Sequence, residues 1–394
     1  MKVGLMAKLY LNKPQFDAEI MKCLNCASKP CMSACPVNCS PQEFIQHAKN
    51  GEFAEAVKSI CKNNPFAHTC GLICPDSFCM KACLRSKIDH PINIPLVQAT
   101  IISKYRNDMI DVEQVPNNGK KIAIVGAGPA GMAAACFLVK HGYSVKLFEK
   151  TDKVGGALNL IPDYRLPYEV IEDDWNYIKR IGNAEIEFNV QIDAPKDLLE
   201  DGFDGVIMAI GEQNGIDLGV DGEEFVVPYA EYLKEPRKYE GRQKVAVIGG
   251  GNVAADCAIT AKNLGANIVS VFIRRKIFDM KVTRKEMEEL LNRQIDLVTT
   301  TRVCKIERNN NNFDVYTCST QPGERGYEDI ENSLIKRQGF DLIVKAIGSR
   351  AEKPVEHQNI IYAGDCKNGG STIVEAVASG LDSAKLMHKN LGGE

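Results

Sequence analysis

The chain has 394 residues, 44% of them apolar and 25% charged, which is the composition of an ordinary globular protein of two or three domains. Its 48 basic and 51 acidic side chains leave a net charge of −3. No broad positive field therefore draws nucleic acid or an acidic membrane surface. The cysteines are unevenly spread, with ten of the 15 between Cys23 and Cys83. The start of the chain lacks an apolar run of signal-peptide length, and no apolar stretch is long enough to span a bilayer. A cytoplasmic chain with reduced thiols is expected, and clustered reduced thiols point to metal or redox chemistry rather than a disulfide framework.

Two cysteine runs occupy the first part of the chain. One is Cys23-x2-Cys26-x4-Cys31-x3-Cys35-Pro36, and the other is Cys70-x3-Cys74-Pro75-x3-Cys79-x3-Cys83. Clustered thiolates suit zinc and iron–sulfur groups. Zinc ribbons pair two CxxC knuckles, and only Cys23 and Cys26 form one. A dense run closed by Cys-Pro instead follows ferredoxin-type ligation, in which the last cysteine serves the other cluster. By that analogy Cys35 crosses over and each cluster draws on both runs. Between the runs, Ser40-Pro41-Gln42-Glu43 predicts a capping box opening a helix with Phe44, Ile45 and Ala48 on one face. Gly51 ends it. A second helix carries Phe53, Ala56, Val57 and Ile60, and Pro65 stops it. So small a helical unit buries little core, and bound metal contributes to its folding. Cys39, Cys61, Cys136, Cys257, Cys304, Cys318 and Cys366 read as small buried apolar residues.

The strand Lys120–Val125 runs into Gly126-x-Gly128-Pro129-Ala130-Gly131 and a helix reaching about His141-Gly142. A second strand, Ser144–Phe148, ends at Glu149. The glycines let backbone approach a pyrophosphate, the helix N-terminus stabilises its charge, and Glu149 can accept from a ribose. The plan recurs at Lys244–Ile248, followed by Gly249-Gly250-Gly251-Asn252-Val253-Ala254 and a helix to Leu264-Gly265. Its next strand, Ile268–Ile273, ends at Arg274-Arg275 where the first unit has an acid. Arginines there pair with a 2′-phosphate that an acid would repel, so this site reads as one for NADPH, with Lys281 and Arg284 close downstream. The alternative is that both arginines are simply solvated.

One unit ending in Glu and one ending in Arg-Arg is the layout of a flavoprotein holding FAD first and nicotinamide second. It predicts a return to the FAD domain after the second unit. Ile360 to Asp365 supplies it, as a short strand ending Gly364-Asp365 before a helix from about Ser371, with Thr372 at its start. That helix N-terminus suits negative charge on the flavin. Ala209-Ile210-Gly211 and Ala346-Ile347-Gly348 mark the crossings between domains. Gly155-Gly156-Ala157-Leu158 follows the acid and can approach the cofactor, and Arg165 has either a flavin-side or a surface role. The body contains no CxxC, so disulfide reductase chemistry is not expected.

These motifs together resemble the small subunit of glutamate synthase and the N-terminal, NADPH-oxidising part of dihydropyrimidine dehydrogenase, from about Cys23 to the C-terminus. The resemblance implies two 4Fe–4S clusters. It assigns Cys23, Cys26, Cys31 and Cys83 to one, and Cys35, Cys74, Cys79 and Gln98 to the other, with Cys70 a non-ligand neighbour. Gln98 lies in the segment from Pro91. Because an amide is a weak iron ligand, Cys39, Cys61 or Cys70 are the alternatives to it. No amidotransferase domain, FMN-binding barrel or pyrimidine site accompanies these motifs.

The expected fold is α/β: a small α-helical iron–sulfur domain (1–115), then two doubly wound domains, one for FAD (116–212 and 345–394) and one for NADPH (213–344). The expected activity is that of an NADPH-dependent flavoprotein oxidoreductase, with hydride passing to FAD at the domain interface and single electrons passing onward through the clusters. The acceptor is a partner protein or large subunit. In the alternative reading the chain is a free-standing reductase of small acceptors such as disulfides, ferric iron, quinones or nitro compounds. A zinc-stabilised, non-enzymatic binding protein is a third reading, which a brown protein with broad visible absorption would exclude. The oligomeric state is left open.

Overall fold

The structure is a computed structural model, and it describes residues 9–109, 115–212, 214–324, 326–351 and 357–393. The longer helices of the first part of the chain, among the described residues, are α1 (Lys13–Met21), α2 (Pro41–Lys49), α3 (Phe53–Asn63), α4 (Ala67–Ile73) and α5 (Ile94–Met109). There follow β1 (Lys121–Val125), α6 (Pro129–Lys140), β2 (Ser144–Glu149), α7 (Tyr168–Ile181), β3 (Ala184–Phe188) and β4 (Gly205–Met208). A second series runs β5 (Val227–Pro228), β6 (Lys244–Ile248), α8 (Asn252–Asn263), β7 (Ile268–Phe272), α9 (Arg284–Asn292) and β8 (Asp296–Val298). It continues through β9 (Thr301–Asn309), β10 (Asn312–Gly323), β11 (Gly326–Asp329), β12 (Ile335–Phe340) and β13 (Leu342–Lys345). The chain closes with β14 (Ile360–Tyr362) and α10 (Ile373–Asn390).

The chain divides into two units. One comprises 1–159, 163–213 and 350–394, and the other 160–162 and 214–349. The helical region and the first dinucleotide fold thus belong to one unit.

In the helical region each helix buries the face that its apolar spacing marks, Phe44, Ile45 and Ala48 on α2 and Ala56, Val57 and Ile60 on α3. The expected capping box at Ser40 is absent. The Ser40 side chain makes no cap, and its hydroxyl instead donates to Met32 Sδ at 3.4 Å. Proline at the first helical position still starts the helix there, since its fixed φ fits and it has no N–H to satisfy.

The first unit's sheet is parallel, in the order β14-β4-β1-β2-β3. The second unit's parallel sheet has the order β5-β13-β6-β7-β8. In each, chain order reverses beside the strand carrying the glycine turn, which is where open α/β sheets bind ligands. Apolar runs such as Ile122–Val125 and Val245–Ile248 are buried on both faces, as parallel strands require. Unexpected from sequence is an antiparallel sheet in the second unit, where β9, β11 and β12 join through β10. Val303, Ile306, Val315 and Phe340 from it pack on Ile248, Phe272 and Ile343 of the parallel sheet.

The antiparallel hairpin also corrects the reading of Cys304 and Cys318 as small buried apolar residues, since they are disulfide-bonded and only partly buried. The register pairs Cys318 with Arg302, and Cys304, two residues on, is the unpaired residue of the bulge between Val303 and Lys305. A separation of 14 residues hides this in the sequence.

A buried ion network ties the helical region to the first dinucleotide fold. Arg106 on α5 is fully buried, and its guanidinium bonds Asp174 at 2.6 Å and also Asp173, both on α7. Asp174 further accepts the backbone N–H groups of His68 (3.1 Å) and Thr69 (2.9 Å) in the first turns of α4. Asp173 pairs with His68 Nδ1 at 2.7 Å. Burial opposes ionisation of Asp173, but His68 and Arg106 outweigh it and hold its carboxyl below the usual range. Asp174→Ala would leave two amides and one of the two guanidinium contacts without an acceptor in the interior, at a cost of about 3–5 kcal/mol. Urea unfolding of the variant beside the parent is expected to show that loss.

Candidate functional site

Two groups of thiols form in the helical region. Cys23, Cys26, Cys31 and Cys83 line an open cavity, walled also by Pro41, Ile45, Ile92 and Ile94. The first run supplies three of these thiols and the end of the second run supplies the fourth. Lys49 Nζ holds the Cys23 carbonyl at 3.0 Å, which fixes the start of the run.

The second group is deeper. Burial raises the Cys79 thiol to about 12, aided by the nearby Cys35 and Cys31. Cys74, on the residue after α4, is raised by its contact with Cys70 and by burial, with Cys79 and Cys35 as further neighbours. Burial, and then Cys70 among other causes, sets the thiol of Cys35. Thiols so placed stay protonated until a cation offsets their mutual repulsion. Iron does this, because a coordinating thiol is deprotonated outright. The donor set therefore fits iron–sulfur chemistry.

Gln98 on α5 is 6% exposed and enters the same group. Its Nε2 donates to the Ala67 carbonyl at 2.7 Å, which turns Oε1 toward the thiols, 3.8 Å from Cys39 Sγ. Cys39 therefore shares this space, and Cys70 adjoins Cys74. Cys61 faces elsewhere as well. Its neighbours include Arg106, Lys140 and Cys136, and its side chain meets that of Tyr177.

The first glycine turn joins β1 to α6. A Cβ on Gly131 would lie 2.0 Å from the Gly126 carbonyl oxygen, so only glycine lets the helix begin there. Gly128 faces Gly156, and a Cβ on Gly156 would approach Gly128 Cα to 3.1 Å. The Gly155-Gly156 loop thus borders the turn, with Leu158 fully buried behind it. Pro129 and Ala130 open α6. Glu149 is buried at the end of β2, where Oε2 accepts Ala127 N–H at 2.8 Å and Oε1 accepts from Thr151. Oε1 already accepts two bonds, and Oε2 keeps lone-pair capacity for a ribose hydroxyl. Gly364 has φ +73° and packs on Ala130, and its N–H donates to Ser379 Oγ at 2.8 Å. Burial raises the Asp365 carboxyl, although the Ser371 hydroxyl donates to it. Thr372 caps α10 in a reciprocal box with Glu375. Arg165 is half-buried before α7.

In the second unit a Cβ on Gly249, at φ +147°, would sit 2.1 Å from the Ala346 carbonyl oxygen. Ala346-Ile347-Gly348 therefore lies against the turn. Gly250 packs on Ile273, and Gly251 caps α8, which begins Asn252-Val253. Lys281 comes back to this turn, donating its N–H to the Gly250 carbonyl at 3.0 Å and bridging Gly251. Asn252 Oδ1 accepts Thr283 N–H at 3.1 Å and holds that return in place. Arg274 and Arg275 follow β7, their carbonyls fixed by Thr320 and Thr300, and neither forms an ion pair among the described residues. Arg284 instead pairs with Glu288 on α9.

Sequence reasoning missed the Cys304–Cys318 pair and the backbone return of Lys281. The run Asn309 to Asn312 was the available signal for the first, because it marks a turn between two alternating strands.

This geometry defines a class: a flavoprotein oxidoreductase with two dinucleotide folds and a cysteine-rich helical domain. Residues 120–380 match the family described as pyridine nucleotide-disulphide oxidoreductase, and residues 6–110 match dihydropyrimidine dehydrogenase domain II, 4Fe–4S cluster. The chain belongs to the pyridine nucleotide-disulphide oxidoreductase family, with FAD, NADPH and 4Fe–4S groups as its cofactors. It is 28% identical to an NAD-dependent dihydropyrimidine dehydrogenase subunit, PreT, of Escherichia coli, over 95% of this chain and 94% of that one. It is 27% identical to the small chain of a Bacillus subtilis NADPH glutamate synthase, over 94% and 90%. Among solved structures, Mycobacterium tuberculosis FprA in complex with NADPH shares the fold at a TM-score of 0.61, with 17% identity over 71% of this chain and 85% of that one. No helix among the described residues is long and apolar enough to cross a membrane.

Replacing Cys31 by Ser is expected to remove one set of iron–sulfur resonances in low-temperature EPR and leave the other. Cys70→Ala is expected to leave both.

Proposed function

We propose that the chain is the electron-input subunit of a larger oxidoreductase, oxidising NADPH and supplying single electrons to a partner protein. The observation that carries this reading is the cavity bounded by Cys23, Cys26, Cys31 and Cys83, in the same unit as the first dinucleotide fold. When bound, FAD takes a hydride from NADPH and, with iron–sulfur groups, converts a two-electron donor into a source of single electrons.

The chain's own residues bind and orient. Gly126, Gly128, Pro129, Ala130 and Gly131 receive the FAD pyrophosphate at the α6 N-terminus, and Glu149 accepts from the ribose. Gly156, Leu158, Arg165, Gly364, Asp365 and Thr372 border the flavin side. Gly249, Gly250, Gly251, Asn252 and Val253 receive the nicotinamide dinucleotide, with Ala346, Ile347 and Gly348 beside the turn. Arg274, Arg275 and Lys281 hold the 2′-phosphate. Cys23, Cys26, Cys31 and Cys83 ligate one 4Fe–4S cluster, and Cys35, Cys74, Cys79 and Gln98 the other. No side chain is needed as acid or base, because hydride transfer to flavin depends on orientation.

The Escherichia coli and Bacillus subtilis relatives, described as a subunit and a small chain, support a partner subunit. Those two names divide between NAD and NADPH, and the unpaired arginines favour NADPH here.

Anaerobic purification should give a brown protein whose flavin and iron are both reduced by NADPH, and a chain lacking bound FAD would refute the reading. Arg274→Ala with Arg275→Ala removes charge-assisted bonds worth about 1.5–3 kcal/mol each. Together the two should lower kcat/KM for NADPH by about a hundred- to ten-thousand-fold and leave NADH turnover little changed. Steady-state kinetics with both nucleotides reads this directly.

A further inference from the structure

The cavity of Cys23, Cys26, Cys31 and Cys83 opens at the surface, and its rim differs from the rest of the helical region. Among the described residues in 9–109, three large apolar side chains are exposed: Met21 at 69%, Leu24 at 45% and Ile88 at 64%. Leu24 lines the cavity. Met21 ends α1 just before Cys23, and Ile88 follows the short turn Leu84–Lys87, whose Leu84 and Arg85 also line the cavity. The two edges meet. Asp89 pairs with Arg85 at 2.6 Å and lies within electrostatic reach of Lys22, which in turn pairs with Glu19 at 2.6 Å. These ions largely cancel. Lys29, in the cavity wall, and Lys87 are exposed and have no carboxylate partner among the described residues.

An apolar trio gathered at one opening, with surplus positive charge beside it, is the composition of a transient contact surface. Charge matched to the iron–sulfur group alone would account for the lysines. It would not account for three apolar side chains left in water.

We propose that this rim is the docking face for a one-electron acceptor protein whose contact surface is acidic, seated over the thiol cavity. The proposal rests on the functional reading above and adds the exit face and the chemistry of the partner. One NADPH then reduces two acceptor molecules by one electron each, releasing NADP⁺ and one proton. Lys29 and Lys87 steer the encounter, and Met21, Leu24 and Ile88 are covered on contact.

The test uses the intact chain with flavin and iron bound, and three probes: rubredoxin as a small acidic iron protein, cytochrome c as a basic one, and menadione as a small neutral acceptor. Oxidised rubredoxin should bind more tightly than cytochrome c in calorimetry, and its NADPH-dependent reduction should slow as salt rises. Lys87→Glu with Ile88→Asp should weaken rubredoxin binding and slow its reduction about tenfold, with iron content and menadione reduction unchanged. Met21→Ser, on the opposite edge, should weaken binding in the same direction and guards against a local folding effect of the double variant. Equal binding of the two proteins, or rubredoxin binding indifferent to all three changes, overturns the docking face while menadione turnover stands. Loss of NADPH–menadione turnover in the parent chain with FAD bound refutes the functional reading itself, and this proposal with it.

Discussion

The buried pairing of Arg106 with Asp173 and Asp174 is the contact on which the geometry of the first unit depends. A guanidinium with no exposure is costly to bury alone, so its two carboxylates must be present and correctly placed. Both carboxylates lie on a helix of the dinucleotide fold, while the groups they receive lie on α4 and α5 of the helical region. Asp174 accepts the N–H groups of His68 and Thr69, and Cys70 and Cys74 follow immediately on the same helix and its end. The pairing therefore sets the position of the deeper thiol group against the first dinucleotide fold. A small helical region with little core of its own gains a fixed attachment in this way, and electron transfer between cofactors needs a fixed separation.

The two dinucleotide folds solve one problem twice. Each ends a strand beside a reversal in strand order, turns on glycine and starts a helix. Each also receives an Ala-Ile-Gly segment after a neighbouring strand, Ala209 to Gly211 in one and Ala346 to Gly348 in the other. A Cβ on Gly126 would strike the Ala209 carbonyl oxygen at 2.5 Å, and one on Gly249 would strike that of Ala346 at 2.1 Å. The same steric demand recurs although the bound nucleotides differ. What differs is the end of the second strand, where Glu149 is buried and hydrogen-bonded and Arg274 is exposed.

Much of this was legible in the sequence, because the features that position the cofactors are local. Glycine spacing, the acid or arginine at a strand end and the Cys-Pro runs each follow from chemistry within a few residues. The sequence was weaker where distance along the chain hides proximity. The antiparallel sheet of β9 to β12 has partly exposed strands, and its alternation is broken by the bulge at Cys304. The bond between Cys304 and Cys318 was missed for that reason. Ser40 looked like a cap because its neighbours fit the pattern, yet its hydroxyl turned to Met32. Cys39 was read only as one of three alternatives to Gln98, since 59 residues separate the two and only packing brings them together.

The crossed origin of the first thiol cavity bears on how the protein is made. Cys23, Cys26 and Cys31 leave the ribosome early, but Cys83 closes the cavity more than fifty residues later. A nascent chain therefore holds an incomplete donor set through much of its early synthesis, and it exposes thiols to any competing soft metal or oxidant. Delivery of iron and sulfide is thereby tied to a late moment, after α2, α3 and α4 have been synthesised. A cell short of iron would accumulate chains whose dinucleotide folds can form around their nucleotides while the helical region waits for its clusters.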